Sequence, residues 1–249
     1  MDTLSDLRVA VQDDINVGDE STLYPPALID RYINRAYRNK VAALFPWPEL
    51  QDAKKTPTQA NVDYYDYHQN WRSNSIWKLG VTDDSAEDPR YGEDPDGSPL
   101  SFDDYLNWKE DNPDSTDKKW ANQWRRYFIS PTPTVTGSIA TGINVILIWG
   151  IKVPASLGAD SDTTVFSYST PECNEAIVLE TVAMLKSKGD SEKSAEFRSA
   201  EAKQILVVSW NKIKTEMAKY EKIAPFFYVN DFFGRGTSKD LTGKFDVNM

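Results

Sequence analysis

Residues 25–47 read PPALIDRYINRAYRNKVAALFPW, and this stretch decides how the N-terminal part of the chain folds. Proline suits the first turn of a helix, where its missing N–H leaves no bond unmade. From there Leu28, Ile29, Tyr32, Ile33, Ala36, Tyr37, Val41 and Leu44 recur at helical spacing until Pro46 closes the run. The pattern predicts a long helix with a broad buried face. Upstream, Leu4, Leu7, Val11 and Ile15 form one stripe on a helix expected over 4–17. Thr3 is its N-cap, Asp6 follows three residues on, and Gly18 is its stop. The connection DESTLYPP is short, so the two helices are expected to pack as a hairpin.

Beyond Trp47 the period changes from helical to two. Strands are expected over 62–67, 75–79, 124–129 and 143–153, all rich in β-branched and aromatic residues. Turn signals separate them: Ser130-Pro131-Thr132-Pro133, Thr136-Gly137 and Thr141-Gly142. A third helix is expected from Thr170-Pro171-Glu172 to Gly189, carrying Cys173, Ile177, Val178, Val182, Met184 and Leu185. A fourth, starting at Asp190 or Ser191, runs to about Tyr220 with Ala202, Ile205, Leu206, Ser209, Ile213 and Met217 on one side. The expected fold class is therefore α+β: a four-helix-type bundle of two N-terminal and two C-terminal helices, with a β-rich insertion. The bundle takes residues 1–46 and 165–222, the insertion 47–164, and an extended C-terminal arm 223–249.

Composition narrows the function. Among 249 residues, 38 are acidic and 28 basic, which disfavours a phosphate-gripping surface spread over the whole chain. Thirteen of those acids fall between Asp83 and Asp117 against only Arg90 and Lys109, so the acidity is concentrated in one segment of the insertion. This segment, 83–117, is expected to be a solvated loop with a short helical turn at 101–108, capped by Ser101 and favoured by Asp103 and Asp104. The opening MDTLSDLRVAVQDDINVG lacks the basic start and apolar run of a secretory signal, and no stretch reaches the ~20 apolar residues of a membrane span. A soluble chain made in the cytoplasm, with no membrane partner, is expected.

One histidine, His68, and one cysteine, Cys173, exclude an intrachain disulfide and the four-ligand zinc sites built from Cys and His. His68 with Asp66 two residues earlier would share a strand face, but no nucleophile motif accompanies them, and a structural role is the better reading. Fitting the calcium-loop pattern to Gly97 places Asp94, Asp96 and Asp103 at ligand positions. Gly92 then falls on the first ligand position, and the closing bidentate Glu is missing. Acids and eight tryptophans leave a carbohydrate-binding or carbohydrate-active reading as the alternative, although nothing singles out two carboxylates. Trp71, Trp77, Trp108, Trp120, Trp124 and Trp149 are explained as well by core packing. No catalytic residue, cofactor or metal ligand is nominated.

The order of segments says more than any motif. A first amphipathic helix leads through Tyr-Pro-Pro to LIDRYINRAYRNKVAALFPW (28–47). There follow YFISPTP (127–133), IWGIKVPASLGADSDTTVF (148–166), PECNEAIVLETVAMLKSKGD (171–190) and a long last helix. Over roughly residues 3 to 220 this arrangement resembles the head-to-tail adaptor (connector, or head-completion) proteins of tailed bacteriophages. The resemblance implies a structural virion protein of the neck, not an enzyme. It implies a self-assembled ring, typically of twelve copies, that binds the portal protein above and the tail or next neck protein below, and through which DNA passes without sequence-specific binding. By position, Phe226, Phe227, Tyr228, Val229, Phe232 and Phe233 in the C-terminal arm would clasp the portal, adding an edge strand with aromatic side chains in pockets.

Overall fold

The computed structural model describes residues 2–15, 24–82, 99–187 and 192–219. Helix α1 (Leu4–Ile15) opens with a reciprocal cap: the Asp6 N–H donates to Thr3 Oγ1, and the Thr3 N–H donates to the Asp6 carboxylate. Helix α2 (Pro26–Ala36) begins on proline and buries Ile29, Tyr32, Ile33 and Ala36. It does not run on as an ordinary helix. A π-helical turn, Tyr37–Val41, follows, and a last α-turn, α3 (Ala42–Leu44), ends it. The Ala42 carbonyl, left over at this end, accepts from the Arg72 guanidinium. Trp47 folds back and donates its indole N–H to the Val41 carbonyl at 2.9 Å.

Two small antiparallel sheets follow. In the first, the order is β1 (Gln51–Pro57), β6 (Val145–Ile151), β3 (Lys78–Val81). In the second it is β2 (Tyr64–Asp66), β5 (Arg126–Ser130), β4 (Lys119–Gln123). Strand β6 joins two cores. Its Ile146 and Ile148 pack with Tyr65, Tyr67, Trp71, Trp120 and Tyr127 between the sheets, whereas Ile151 enters the helical core. The register sets Gly150 opposite Asp52 and Trp149 opposite Ala53. Helix α4 (Phe102–Asp111), capped by Ser101, packs on β4, and its Lys109 pairs with Asp63. The acidic segment is thus helical for longer than the turn expected from sequence, and its residues 83–98 lie outside the described residues.

The helices do not form the four-helix-type bundle with an N-terminal pair that the sequence led us to expect. Helix α5 (Glu172–Lys186) is central, and α1, α2 and α6 (Glu192–Lys219) pack against it. The cause is visible along α5, which is buried over most of its circumference, with Glu175 left exposed: Cys173, Ala176, Ile177, Val182 and Leu185 lie in the core, and Asn174, Glu180 and Thr181 are buried as well. A helix so widely buried takes the middle of a layer rather than one corner of a bundle. Its polar groups are each satisfied, Asn174 by Thr164 and Asp2, Thr181 by the Ile177 carbonyl, and Glu180 by the Ser199 hydroxyl. An aromatic cluster ties α6 to the body, with Trp210 stacked on Phe45 at 5.3 Å and edge-on to Trp47 at 5.7 Å. The fold is α+β, built of this helical layer and the two three-stranded sheets.

Candidate functional site

The β4–β5 hairpin closes with two residues, Trp124 and Arg125, between the paired Gln123 and Arg126. Trp124 adopts φ of 56°, at the first central position of the turn. Hairpins normally place glycine there, since a side chain in the left-handed region costs about 1–2 kcal/mol. The surroundings hold it nonetheless. The Trp124 carbonyl accepts from the Asn74 N–H at 2.9 Å, and the Arg125 guanidinium donates to the carbonyls of Trp71 and His68. Next to the turn, Arg126 lies over the Tyr64 ring at 5.2 Å and pairs with Asp66 at 3.0 Å. The indole itself is 71% exposed. An anchored turn therefore displays a large aromatic side chain to water in one fixed place.

The second feature is helix α6. Ala195, Ala202, Leu206 and Trp210 face α5 and the aromatic cluster. On the opposite side, at the spacing of one helical stripe, Phe197 is 72% and Val208 60% exposed. Where α6 passes the π-helical turn a groove of about 270 Å³ opens, walled by Ala43, Leu44 and Leu206 with Lys40, Lys203 and Glu180 among its polar atoms. A π-helical turn splays the residues that follow it and recurs at functional positions. Glu180 is only 4% exposed, and its carboxylate is fixed by Ser199. On α2, exposed Arg31 and Arg35 lead along one stripe to Asn39 at the groove. Exposed Asp103, Asp104, Glu110 and Asp111 mark α4, beside the hairpin strand β4.

The residues nominated from sequence fare differently. Phe226, Phe227, Tyr228, Val229, Phe232 and Phe233 lie outside the described residues, as do Gly92, Asp94, Asp96 and Gly97 of the calcium-loop trial. Among the described residues no group of three or more His, Cys, Asp and Glu side chains could hold a metal ion. His68 and Asp66 do not form a dyad: β2 ends at Asp66, whose carboxylate is taken by Arg126. His68 instead packs against Trp71 at 5.7 Å with Nε2 buried and unbonded. Burial, then nearby Lys54, lowers its pKa. Cys173 is buried, and that burial pushes its thiol up to about 12. Glu49 receives the hydroxyls of Ser169 and Thr170 on one oxygen, while its other oxygen is buried without a partner.

Sequence reasoning missed Trp124, reading it as the first residue of a strand. No Asn-Gly or Asp-Gly signal marks the turn, and Gln123-Trp124-Arg125-Arg126 carries only the faint cue of a polar run around one aromatic. No helix among the described residues is long and apolar enough to cross a membrane. The chain matches no protein-family model, and no curated protein matches its sequence.

Proposed function

We propose that the chain is a head-to-tail adaptor: a structural virion protein that forms a ring, joins the portal of a tailed-phage capsid to the tail, and lets DNA pass. The observation that carries this reading is the anchored display of Trp124 at the tip of the β4–β5 hairpin, with further exposed apolar side chains on other elements. Trp124 stands on the β4–β5 hairpin, Val135 and Ile139 on the β5–β6 connection, and Phe197 and Val208 on the outer side of α6. Single exposed apolar side chains are ordinary on a protein surface, and Trp124 differs from them because an anchored turn at positive φ holds it out in water. A subunit of a closed ring needs two different faces for its neighbours, and an adaptor needs more for the proteins above and below. The order of helical and extended segments supports the same reading, and so does a net charge of −10, which keeps DNA sliding rather than bound.

The aromatic run 226–233 is the portal clasp in this account, and the protein carries out no chemistry. Co-sedimentation with the portal protein of the phage that encodes the chain tests the reading: the full chain is expected to travel with the portal ring, and a chain left wholly in the supernatant overturns it. Deleting 223–249 tests the clasp separately, with retained helical circular dichroism and lost portal binding expected. Trp124, with Arg126 over Tyr64 beside it, also favours a second reading, a sugar-binding surface, which predicts glycan binding that Trp124→Ala abolishes.

A further inference from the structure

We propose that the chain binds a second copy of itself by seating Trp124 of one copy in the groove beside the π-helical turn of the next. The two surfaces fit in size. A groove of about 270 Å³ is below the range that encloses a drug-sized ligand and suits one large side chain. They fit in chemistry. Ala43, Leu44 and Leu206 give the indole ring apolar walls, and the fixed, buried Glu180 carboxylate is an acceptor for the indole N–H. Lys40 and Lys203 supply ammonium groups for the ring face. They also fit in charge. Lys40 and Lys203 line the groove, and the exposed acids of α4, which packs on β4, lie on the hairpin side, where Arg126 is already paired with Asp66.

The turn geometry favours a docking role over a packing one. Trp124 contributes little to its own core, yet it occupies a strained backbone position and is held there by Asn74 and Arg125. A side chain fixed before binding loses little conformational freedom on association, which is the property of a strong anchor. Knob and groove lie on different patches of the same chain. Each copy therefore offers one of each, and the contact is heterologous, propagating head to tail into a ring or an open chain. This inference rests on the two surfaces and not on the portal reading, so it is tested with the chain alone.

The experiment is sedimentation velocity of the full chain over a concentration series, with three variants. Trp124→Gly removes the anchor and relieves the positive φ, so it is expected to melt no lower than wild type while its self-association weakens by roughly 30-fold or more. Ala43→Trp fills the groove from an exposed position and is expected to weaken association similarly. Mixed, the two variants keep one knob and one groove between them and are expected to form a one-to-one dimer and nothing larger. Lys40→Glu with Lys203→Glu should weaken wild-type association, most at low salt. Association of Trp124→Gly equal to wild type overturns the proposal, as does a wild-type chain that stays monomeric throughout, or a mixture that gives no dimer. Portal co-sedimentation is a separate measurement, so either reading can fail without the other.

Discussion

Gly150→Ala is expected to destabilise the protein, although the general expectation for removing a glycine from a strand is the reverse. Where the backbone permits, Gly→Ala gains about 0.4–1 kcal/mol by restricting the unfolded chain. At Gly150 a Cβ would sit 2.4 Å from Trp71 Cζ3 and 2.5 Å from Cε3. Carbon atoms pack at about 3.5–4.0 Å, so the ring must retreat by more than an ångström. It has nowhere to go. Trp71 is 1% exposed, its backbone N–H donates to the His68 carbonyl, and its own backbone carbonyl accepts from Arg125. Overpacking of this kind costs about 1–3 kcal/mol, which outweighs the entropic gain and leaves a net loss of about 1–2 kcal/mol. Urea unfolding followed by far-ultraviolet circular dichroism should show a lower midpoint at unchanged slope. For a chain of this size the melting temperature should fall by about 2–8 °C. Trp71→Leu is the control that names the cause. It is destabilising alone, but Gly150→Ala added to it should cost at least about 1 kcal/mol less than in the wild type, because the obstructing ring is gone. An unchanged or raised midpoint for Gly150→Ala, or strict additivity in the double variant, would refute the packing described between β6 and Trp71.

Three further outcomes are expected. Tyr105 buries its hydroxyl without a partner, so Tyr105→Phe should leave stability unchanged or raise it by up to about 1 kcal/mol in the same urea titration. Cys173, with its thiol pushed up to about 12 by burial, should not react with a thiol reagent at pH 8 in the folded protein and should react at once in denaturant. His68 has a folded pKa below its unfolded value, so its contribution is complete above the unfolded pKa and is lost as pH falls through the folded one. Unfolding midpoints measured between pH 7 and 5 should therefore decline with acid, and His68→Gln should flatten that decline.

Much of the helical layer could be read from apolar spacing, because α1, α2 and α6 each show water one polar side. What spacing does not state is against what a helix packs. In α5 the polar residues Asn174, Glu180 and Thr181 look like a solvated face, yet all three are buried and bonded to Thr164, Ser199 and the Ile177 carbonyl. Reading them as exposed turns a central helix into one corner of a bundle. Strand β1 was illegible for a related reason. Its sequence QDAKKTP has no alternating apolar residues, because it is an edge strand whose order comes from pairing with β6, and its exposed lysines and terminal proline suit an unpaired edge. The π-helical turn has no compositional mark at all. Of the candidate surfaces, the groove needs the π-helical turn, α3, α5 and α6 brought together, and the Trp124 turn departs from the residue preferences by which turns are recognised.

The adaptor reading meets its most direct test in the mass of a complex. Light scattering after size exclusion should be run on the full chain, on the portal ring of the same phage, and on their mixture. The account predicts, in the mixture, a portal peak heavier by one whole ring of chains in fixed stoichiometry. A portal peak of unchanged mass at saturating chain concentration would contradict it.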